Sequence, residues 1–277
     1  MKVSVSMYSL NQVIQEEGWS IVDFINYAKE MNLDGVELLD FYWKNEAEEV
    51  EEVLAALKTN NLPVSAYDVT NNFVKETAKE RALEVEKINA GIQMAKKLGT
   101  NIVRVFCGDL SGDLTYQDGQ DWIVEGLKES AKLAESEEIF LAVENHGLLA
   151  GKSVQVEEII QKVGSPYVRS TFDTGNFLLV HEASETAFDR LKDYIVHVHF
   201  KDFRVKGSSE QVNGFRSTEG VELIGTVPGD GQVNLEYIIN GLKENNYDGW
   251  LSIEYEGFDN PKIANIEAVD RLRKLLK

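Results

Sequence analysis

The stretch IFLAVENHG, residues 139–147, gives the first indication of how this chain folds. Its first five residues are apolar without a break, and polar side chains then follow at Glu144, Asn145 and His146. An unbroken apolar run of this length is typical of a strand that is buried on both faces of a parallel sheet. Polar residues at the end of such a strand lie at the carboxyl edge of the sheet, where α/β proteins place their chemistry.

Seven more short runs are rich in apolar and β-forming residues, and longer helical patterns alternate with all eight runs. The eight runs are 2–9, 35–40, 63–69, 101–108, 139–147, 167–176, 194–202 and 250–257. The amphipathic segments lie near 20–31, 46–58, 74–98, 119–136, 153–163, 184–193, 234–245 and 261–276. Eight strands that alternate with helices predict an α/β fold, a (β/α)8 TIM barrel. With no linker-like composition between them, residues 1–277 are predicted to form a single domain.

The longest irregular segment is 203–233, which contains KGSS, NGF and PGDG. Loops of this length in a compact domain often serve function, so we expect it to fold over the mouth of the barrel.

Composition narrows the class of protein. The net charge of −19 and the pI near 4.7 disfavour binding to a nucleic-acid backbone. Cys107 is the only cysteine, so an intrachain disulfide is excluded. The N-terminus lacks the apolar core of a signal peptide, and the sequence contains no apolar run long enough to cross a membrane. The expectation is a cytoplasmic protein with no membrane partner.

Four residues follow or end apolar runs at the same level of the predicted barrel: Glu144, Asp173, His199 and Glu254. Their spacings of 29, 26 and 55 residues fit one β/α unit, a second unit, and a unit plus the long loop. Three carboxylates that converge on the barrel axis would repel one another, and a divalent cation resolves that repulsion. The ligand set, oxygen-rich with one nitrogen, favours Mn²⁺ or Mg²⁺, with Co²⁺, Fe²⁺ and Zn²⁺ as alternatives.

Each of these residues also has a plainer interpretation. Asp173 before TGN could cap the next helix, and a single histidine in a strand is usually a hydrogen-bonded core residue. The four together favour a metal site. His197 shares a face with His199 but lies one pleat deeper, so it is either an inner hydrogen-bonding residue or a substrate contact.

Four motifs carry a resemblance to a known family: VENH (143–146), FDTGN (172–176), HVHFKD (197–202) and SIEYEG (252–257). With PGDG (228–231), they occur in an order that resembles the xylose isomerase-like barrel superfamily, in particular its sugar phosphate isomerase/epimerase group. The resemblance covers the whole chain. It implies that Glu144, Asp173, His199 and Glu254 bind one divalent metal, with Mn²⁺ as the first expectation.

The resemblance also implies a reaction. In the ketose 3-epimerases of this group, two glutamates form an acid/base pair on opposite faces of the sugar, and Glu144 and Glu254 match those positions. One removes a proton from the carbon next to a carbonyl, and the other returns a proton through an ene-diolate. The first prediction is therefore a metal-dependent sugar isomerase or epimerase, with a small sugar or polyol as substrate. The relatives also allow a homo-oligomer.

The strand ends supply the predicted substrate contacts, and three positions depart from the epimerase pattern. The predicted contacts are His146, Asn176, Lys201, Tyr8, Glu37, Asp68, Arg104 and Trp43. The epimerases have a histidine at the position of Asn176, a glutamate at Ala150 and an arginine at Val205. These differences leave His146 as a candidate for a substrate or proton-transfer role. Because no glycine-rich phosphate loop is present, we expect a substrate without a phosphate group.

Other functions stay open. A lyase of the inosose dehydratase type, or one that acts on 3-keto-glycosides, would use the same metal and then expel a leaving group, with His146 or Lys201 as proton donor. A non-catalytic sugar-binding barrel would have little need of both glutamates. The superfamily also contains a zinc endonuclease for abasic sites, but its metal cluster needs more histidines than the four in this chain.

Overall fold

Eight parallel strands form a closed barrel in the computed structural model, which describes residues 1–109, 112 and 114–277. The barrel strands are β1 (Lys2–Ser6), β2 (Gly35–Leu39), β3 (Val64–Asp68), β4 (Ile102–Val105), β5 (Phe140–Glu144), β6 (Val168–Asp173), β7 (Ile195–Phe200) and β11 (Trp250–Ile253). They pair in sequence order, and β1 closes the barrel against β11. Each predicted run contains one of these strands, so the (β/α)8 fold is confirmed.

Helices surround the barrel. They are α1 (Asn11–Glu17), α2 (Ile21–Glu30), α3 (Glu46–Asn60), α4 (Ala78–Leu98), α5 (Tyr116–Ser136), α6 (Ser153–Val163), α7 (Ser184–Leu191), α8 (Leu235–Glu244) and α9 (Pro261–Leu275). Capping boxes begin α2 and α4, and α4 ends at Gly99 in the left-handed conformation, with φ of 77°. Helix α1 was not predicted, because seven residues with two buried apolar side chains give little periodic signal.

The main core lies between the strands and the inward faces of the helices. The helical period seen in the sequence places Ile88, Ile92 and Ala95 of α4 against the barrel, and all three are fully buried. In α5, Gly126 allows the ring of Phe73 to approach so closely that a Cβ atom would lie 2.2 Å from it. Within the described chain, no helix is long and apolar enough to cross a membrane.

The segment 203–233 is more regular than predicted. It contributes to a three-stranded antiparallel sheet of β8 (Asp202–Val205), β9 (Phe215–Arg216) and β10 (Glu222–Thr226). Asp202 anchors this region, because its buried carboxylate accepts four backbone N–H groups, those of Phe203, Gly229, Gly231 and Val233. A row of backbone donors around one buried carboxylate explains why PGDG folds back onto the sheet.

Candidate metal centre

The carboxyl ends of four consecutive barrel strands bring Glu144, Asp173, His199 and Glu254 together. Each offers one ligand atom, and these atoms all lie within 4.8 Å of one another. Asp173 and His199 are register partners on adjacent strands, which places their side chains next to each other. All four side chains are buried. The parallel barrel thus converts the spacing in the sequence into one compact cluster.

The atoms that face the centre of this cluster have no hydrogen-bond partner in the part of the chain that the structure describes. They are Nδ1 of His199, Oε2 of Glu144 and Oδ2 of Asp173. Nδ1 of His199 lies 3.5–3.9 Å from oxygens of the three carboxylates, which is too far for good hydrogen bonds. Buried polar atoms are normally satisfied, and a cation among these atoms would satisfy them all. The residues present therefore fit a divalent metal.

The other atoms of the same side chains are already engaged, which fixes the orientation of the free ones. Oδ1 of Asp173 accepts the backbone N–H groups of Gly175 and Asn176, both at 2.8 Å. Oε1 of Glu144 accepts the amide N–H of Asn176 at 3.1 Å. Asp173 thus combines the two interpretations considered for it, because one oxygen caps a helical turn and the other faces the cluster.

Glu37 lies beneath the cluster and binds both histidines of β7. Its two oxygens accept from Nε2 of His199 at 2.7 Å and from Nε2 of His197 at 2.9 Å, and all three side chains are fully buried. The carboxylate therefore directs Nδ1 of His199 to the cluster. His197 is an inner hydrogen-bonding residue, and Glu37, predicted as a substrate contact, lies deeper than a substrate would reach.

Two buried cations compensate the acidic residues. The ammonium of Lys201 lies 2.8 Å from Glu254, 2.6 Å from Glu256 and 3.4 Å from Asp173. Arg104 binds Asp68 at 3.0 Å, and its Nε lies 3.2 Å from Oε2 of Glu144 without hydrogen-bond alignment. The prediction of Lys201 and Asp68 as substrate contacts is not supported by their positions, since both are buried in ion pairs.

The pKa values reflect this density of charge. Burial opposes the charged forms throughout. Even so, Glu254, Glu37 and Glu144 raise the pKa of His199 well above its usual value, and Lys201 and His199 hold the pKa of Glu254 well below its own. For Asp173, burial prevails over Lys201 and raises the pKa to about 7. Positive charge at the centre of the cluster is thus strongly favoured.

A cavity of about 330 Å³ opens above the cluster. Of the predicted residues, Glu144, Glu254, Arg104, His146 and Tyr8 line it. Trp43 is not among its lining residues, because its indole N–H donates to the hydroxyl of Tyr67 at 3.0 Å and the ring packs against the core. Asn176 does not line the cavity; it is buried, and its amide N–H donates to Glu144.

Several residues of the cavity wall were not predicted as site residues. These are Leu39, Phe41, Thr70, Asn71, Asn72, Phe106, Asp109, Phe215 and Glu256. Phe106 stacks on His146 with ring centroids 4.0 Å apart, so a wall of the cavity is aromatic. Most of these residues follow the end of a barrel strand, so their positions in the sequence could have predicted them. Phe215 instead belongs to β9, a strand of the small three-stranded sheet.

Comparison with known proteins agrees with this fold. The family described as Xylose isomerase-like TIM barrel matches residues 25–275, and the chain belongs to that family. The recognition of this superfamily from four motifs is therefore confirmed.

The individual proteins that resemble this chain have names that refer to different reactions. The chain is 31% identical over 173 residues to the inosose dehydratase of Clostridium beijerinckii, covering 58% of this chain and 56% of the relative. The chain thus spans little more than half the length of this curated relative. Among solved structures, a D-tagatose 3-epimerase-like protein superposes with a TM-score of 0.79 at 20% identity, covering 100% of this chain and 97% of the other. The IOLI protein with a binding zinc atom gives a TM-score of 0.80 at 14% identity, covering 100% and 98%.

Proposed function

We propose that this chain is a divalent-metal-dependent enzyme that moves a proton at the carbon next to a carbonyl in an uncharged sugar or polyol, with isomerisation or epimerisation as the leading reaction. One observation carries the proposal. Of the four cluster residues, the two glutamates, Glu144 and Glu254, also line the cavity, whereas Asp173 and His199 do not. The two groups suited to proton transfer are therefore the two that a substrate can touch.

The cation would be held by Glu144, Asp173, His199 and Glu254. When bound, it supplies positive charge that polarises a carbonyl and offsets developing negative charge. The ammonium of Lys201 lies 2.8 Å from Glu254 and keeps its carboxylate ionised. We therefore assign Glu254 as the base that removes the proton. Glu144 enters this step protonated and returns its proton to the ene-diolate carbon, and proton exchange with solvent then resets both glutamates. If it does so on the face opposite Glu254, the configuration is inverted; return to a neighbouring carbon isomerises the sugar.

The donor set guides the choice of metal. Three carboxylates and one imidazole, with no thiolate, suit Mn²⁺ or Mg²⁺, with Mn²⁺ as our first choice. Zn²⁺ is an alternative that the zinc-bound structural neighbour supports. Co²⁺ and Fe²⁺ accept the same ligands.

The charges around the cavity favour a neutral substrate. Among its described lining residues, Arg104 is the one arginine or lysine, and it is already paired with Asp68 and Glu144. Glu144, Glu254, Glu256 and Asp109 add negative charge. A phosphate or carboxylate of a substrate would meet repulsion there, while hydroxyl groups would find acceptors.

A dehydratase is the second candidate, and the inosose dehydratase relatives favour it. Removal of the same proton would be followed by loss of a hydroxyl as water, which needs a proton donor. His146 lines the cavity and is partly exposed, so it suits that role. Lys201 is the weaker donor, because three carboxylates surround its ammonium.

Metal analysis followed by a substrate panel separates these functions. The chain is loaded in turn with Mn²⁺, Mg²⁺, Co²⁺ and Zn²⁺ and incubated with ketoses, inososes and 3-keto-glucosides. Isomer exchange identifies an isomerase or epimerase, and water loss identifies a dehydratase. Glu144→Gln and Glu254→Gln should each lower turnover by about 10²–10⁴-fold. Glu129→Gln, an exposed glutamate of α5, is the matched control. Unchanged turnover in either cluster variant would refute the mechanism.

A further inference from the structure

A second groove, of about 250 Å³, adjoins the cavity above the metal centre. Tyr8, Phe215 and Glu256 line both spaces, so the groove begins where the cavity ends. It continues outward between the tip of the small sheet at Asn213 and the segment that follows β11, where Phe258 forms a wall. The proposed reaction centre and this groove therefore share one boundary.

The groove has a fixed floor. Gly225 of β10 and Gly257 form a parallel bridge, and a Cβ atom on either glycine would lie within 2.6 Å of the other segment's backbone oxygen. Gly214 approaches the carbonyl of Leu223 in the same way, with a Cβ at 2.5 Å. Such contacts hold the backbones together at a distance that larger residues would not allow. A groove built on them is preformed for a ligand.

The chemistry of its walls is that of a site for an uncharged ring. Phe258 is 53% exposed and Phe215 is 38% exposed, so both rings offer apolar surface to a ligand in the groove. Asn11, Gln12 and Asn213 supply amide groups. Among the described residues that line the groove, none is basic, so an anionic group would find no partner.

We infer that this groove is a second subsite, which holds the non-reacting ring of a substrate larger than a monosaccharide. The substrate class is thus a glycoside of a neutral keto sugar, with the keto-sugar ring in the cavity and the attached ring between Phe215 and Phe258. The cavity of about 330 Å³ lies at the small end of ligand sites, about 300–1,000 Å³, which suits one ring there and a second ring beyond it. This inference rests on the proposed function for its reacting ring.

Two probes that share one reacting ring test the subsite: methyl and phenyl 3-keto-β-D-glucoside. Their dissociation constants are measured by calorimetry on the metal-loaded full chain, so the result does not depend on turnover. The phenyl probe should bind about tenfold more tightly, as expected for one added aromatic contact. In Phe258→Ala, whose side chain lines the groove and not the cavity, the ratio of the two constants should fall towards one.

Phe41→Ala is the matched control. Phe41 is 47% exposed and lines the cavity but not the groove, so its loss should affect both probes equally and keep their ratio. Equal affinities in the unaltered protein, or no binding of either probe, would overturn the subsite. So would an unchanged ratio in Phe258→Ala. If a dimer also dissociates in that variant, the groove is an interface between copies. If the phenyl probe binds more tightly but neither probe is converted, the result would support the subsite and refute the proposed function.

Discussion

Glu37→Gln tests how the buried carboxylate prepares His199 to bind a metal. In the unaltered chain, both imidazoles donate from Nε2 to Glu37, so Nδ1 of His199 is directed to the cluster. An amide can accept from one imidazole only and must donate to the other. The imidazole that accepts then carries its proton on Nδ1.

The surroundings decide which imidazole changes. Nδ1 of His197 is buried and has no hydrogen-bond partner among the described residues, so a proton there would be unsatisfied. Nδ1 of His199 lies 3.5 Å from Glu254 and 3.6 Å from Glu144, which would attract a proton. Metal binding requires a neutral imidazole, and for neutral His199 the variant therefore favours the tautomer that cannot bind a cation. We expect metal affinity to fall by about 10–100-fold, or about 1.4–2.8 kcal/mol.

The assay is competition for Zn²⁺ between the protein and a chelator, together with long-range ¹H–¹⁵N spectra that report the histidine tautomers. Glu37→Asp keeps the negative charge and should recover part of the affinity. His197→Asn keeps the bond between Glu37 and His199 and should lose less affinity than Glu37→Gln. Thermal unfolding checks that each variant is folded. A folded Glu37→Gln with unaltered affinity and an unaltered His199 tautomer would show that Glu37 does not prepare His199 for the metal.

Three further predictions concern stability and reactivity. Burial raises the pKa of Cys107 to about 12, so its thiol should resist a disulfide reagent at pH 8 until the chain unfolds; rapid stoichiometric labelling of the folded chain would contradict this. Asp202→Asn places an amide N–H₂ group against backbone N–H donors, so urea unfolding should show a free energy of unfolding lower by about 3 kcal/mol. As a control, Asp248→Asn at an exposed position should change the free energy of unfolding by less than about 0.5 kcal/mol. Gly126→Ala in α5 should lower the melting temperature, because the added methyl group would contact the ring of Phe73 and this outweighs the better helix propensity of alanine. A higher melting temperature would show that the ring has room to move.

The barrel and the cluster could be predicted because they follow from repeated local signals. Each strand is a short apolar run, and parallel strands bring their carboxyl ends to one edge. Glu144, Asp173 and His199 stand at those ends and Glu254 lies just beyond one, so the sequence alone brings them together. The depth of a side chain is harder to predict. Glu37 lies in the middle of β2, and a difference of one pleat separates a substrate contact from a residue behind the cluster.

The limits of prediction were greatest where long-range contacts decide the structure. Lys201 shares a strand face with the histidines, but its burial depends on Glu254 and Glu256, which lie more than fifty residues away. Phe215 belongs to a strand of two residues, which has no periodicity to recognise. Trp43 follows a strand end like the cavity residues, yet the hydroxyl of Tyr67 holds it elsewhere.

Incorporation of solvent deuterium shows whether the cluster glutamates transfer a proton at the carbon next to a carbonyl. The metal-loaded chain is incubated in D₂O with the member of the substrate panel that it converts, and ¹H NMR follows the carbon next to the carbonyl. We predict that deuterium enters at that carbon in the unaltered chain and that Glu254→Gln loses the exchange. Conversion without deuterium at that carbon, together with exchange-free turnover in Glu254→Gln at the unaltered rate, would contradict proton transfer by the cluster glutamates.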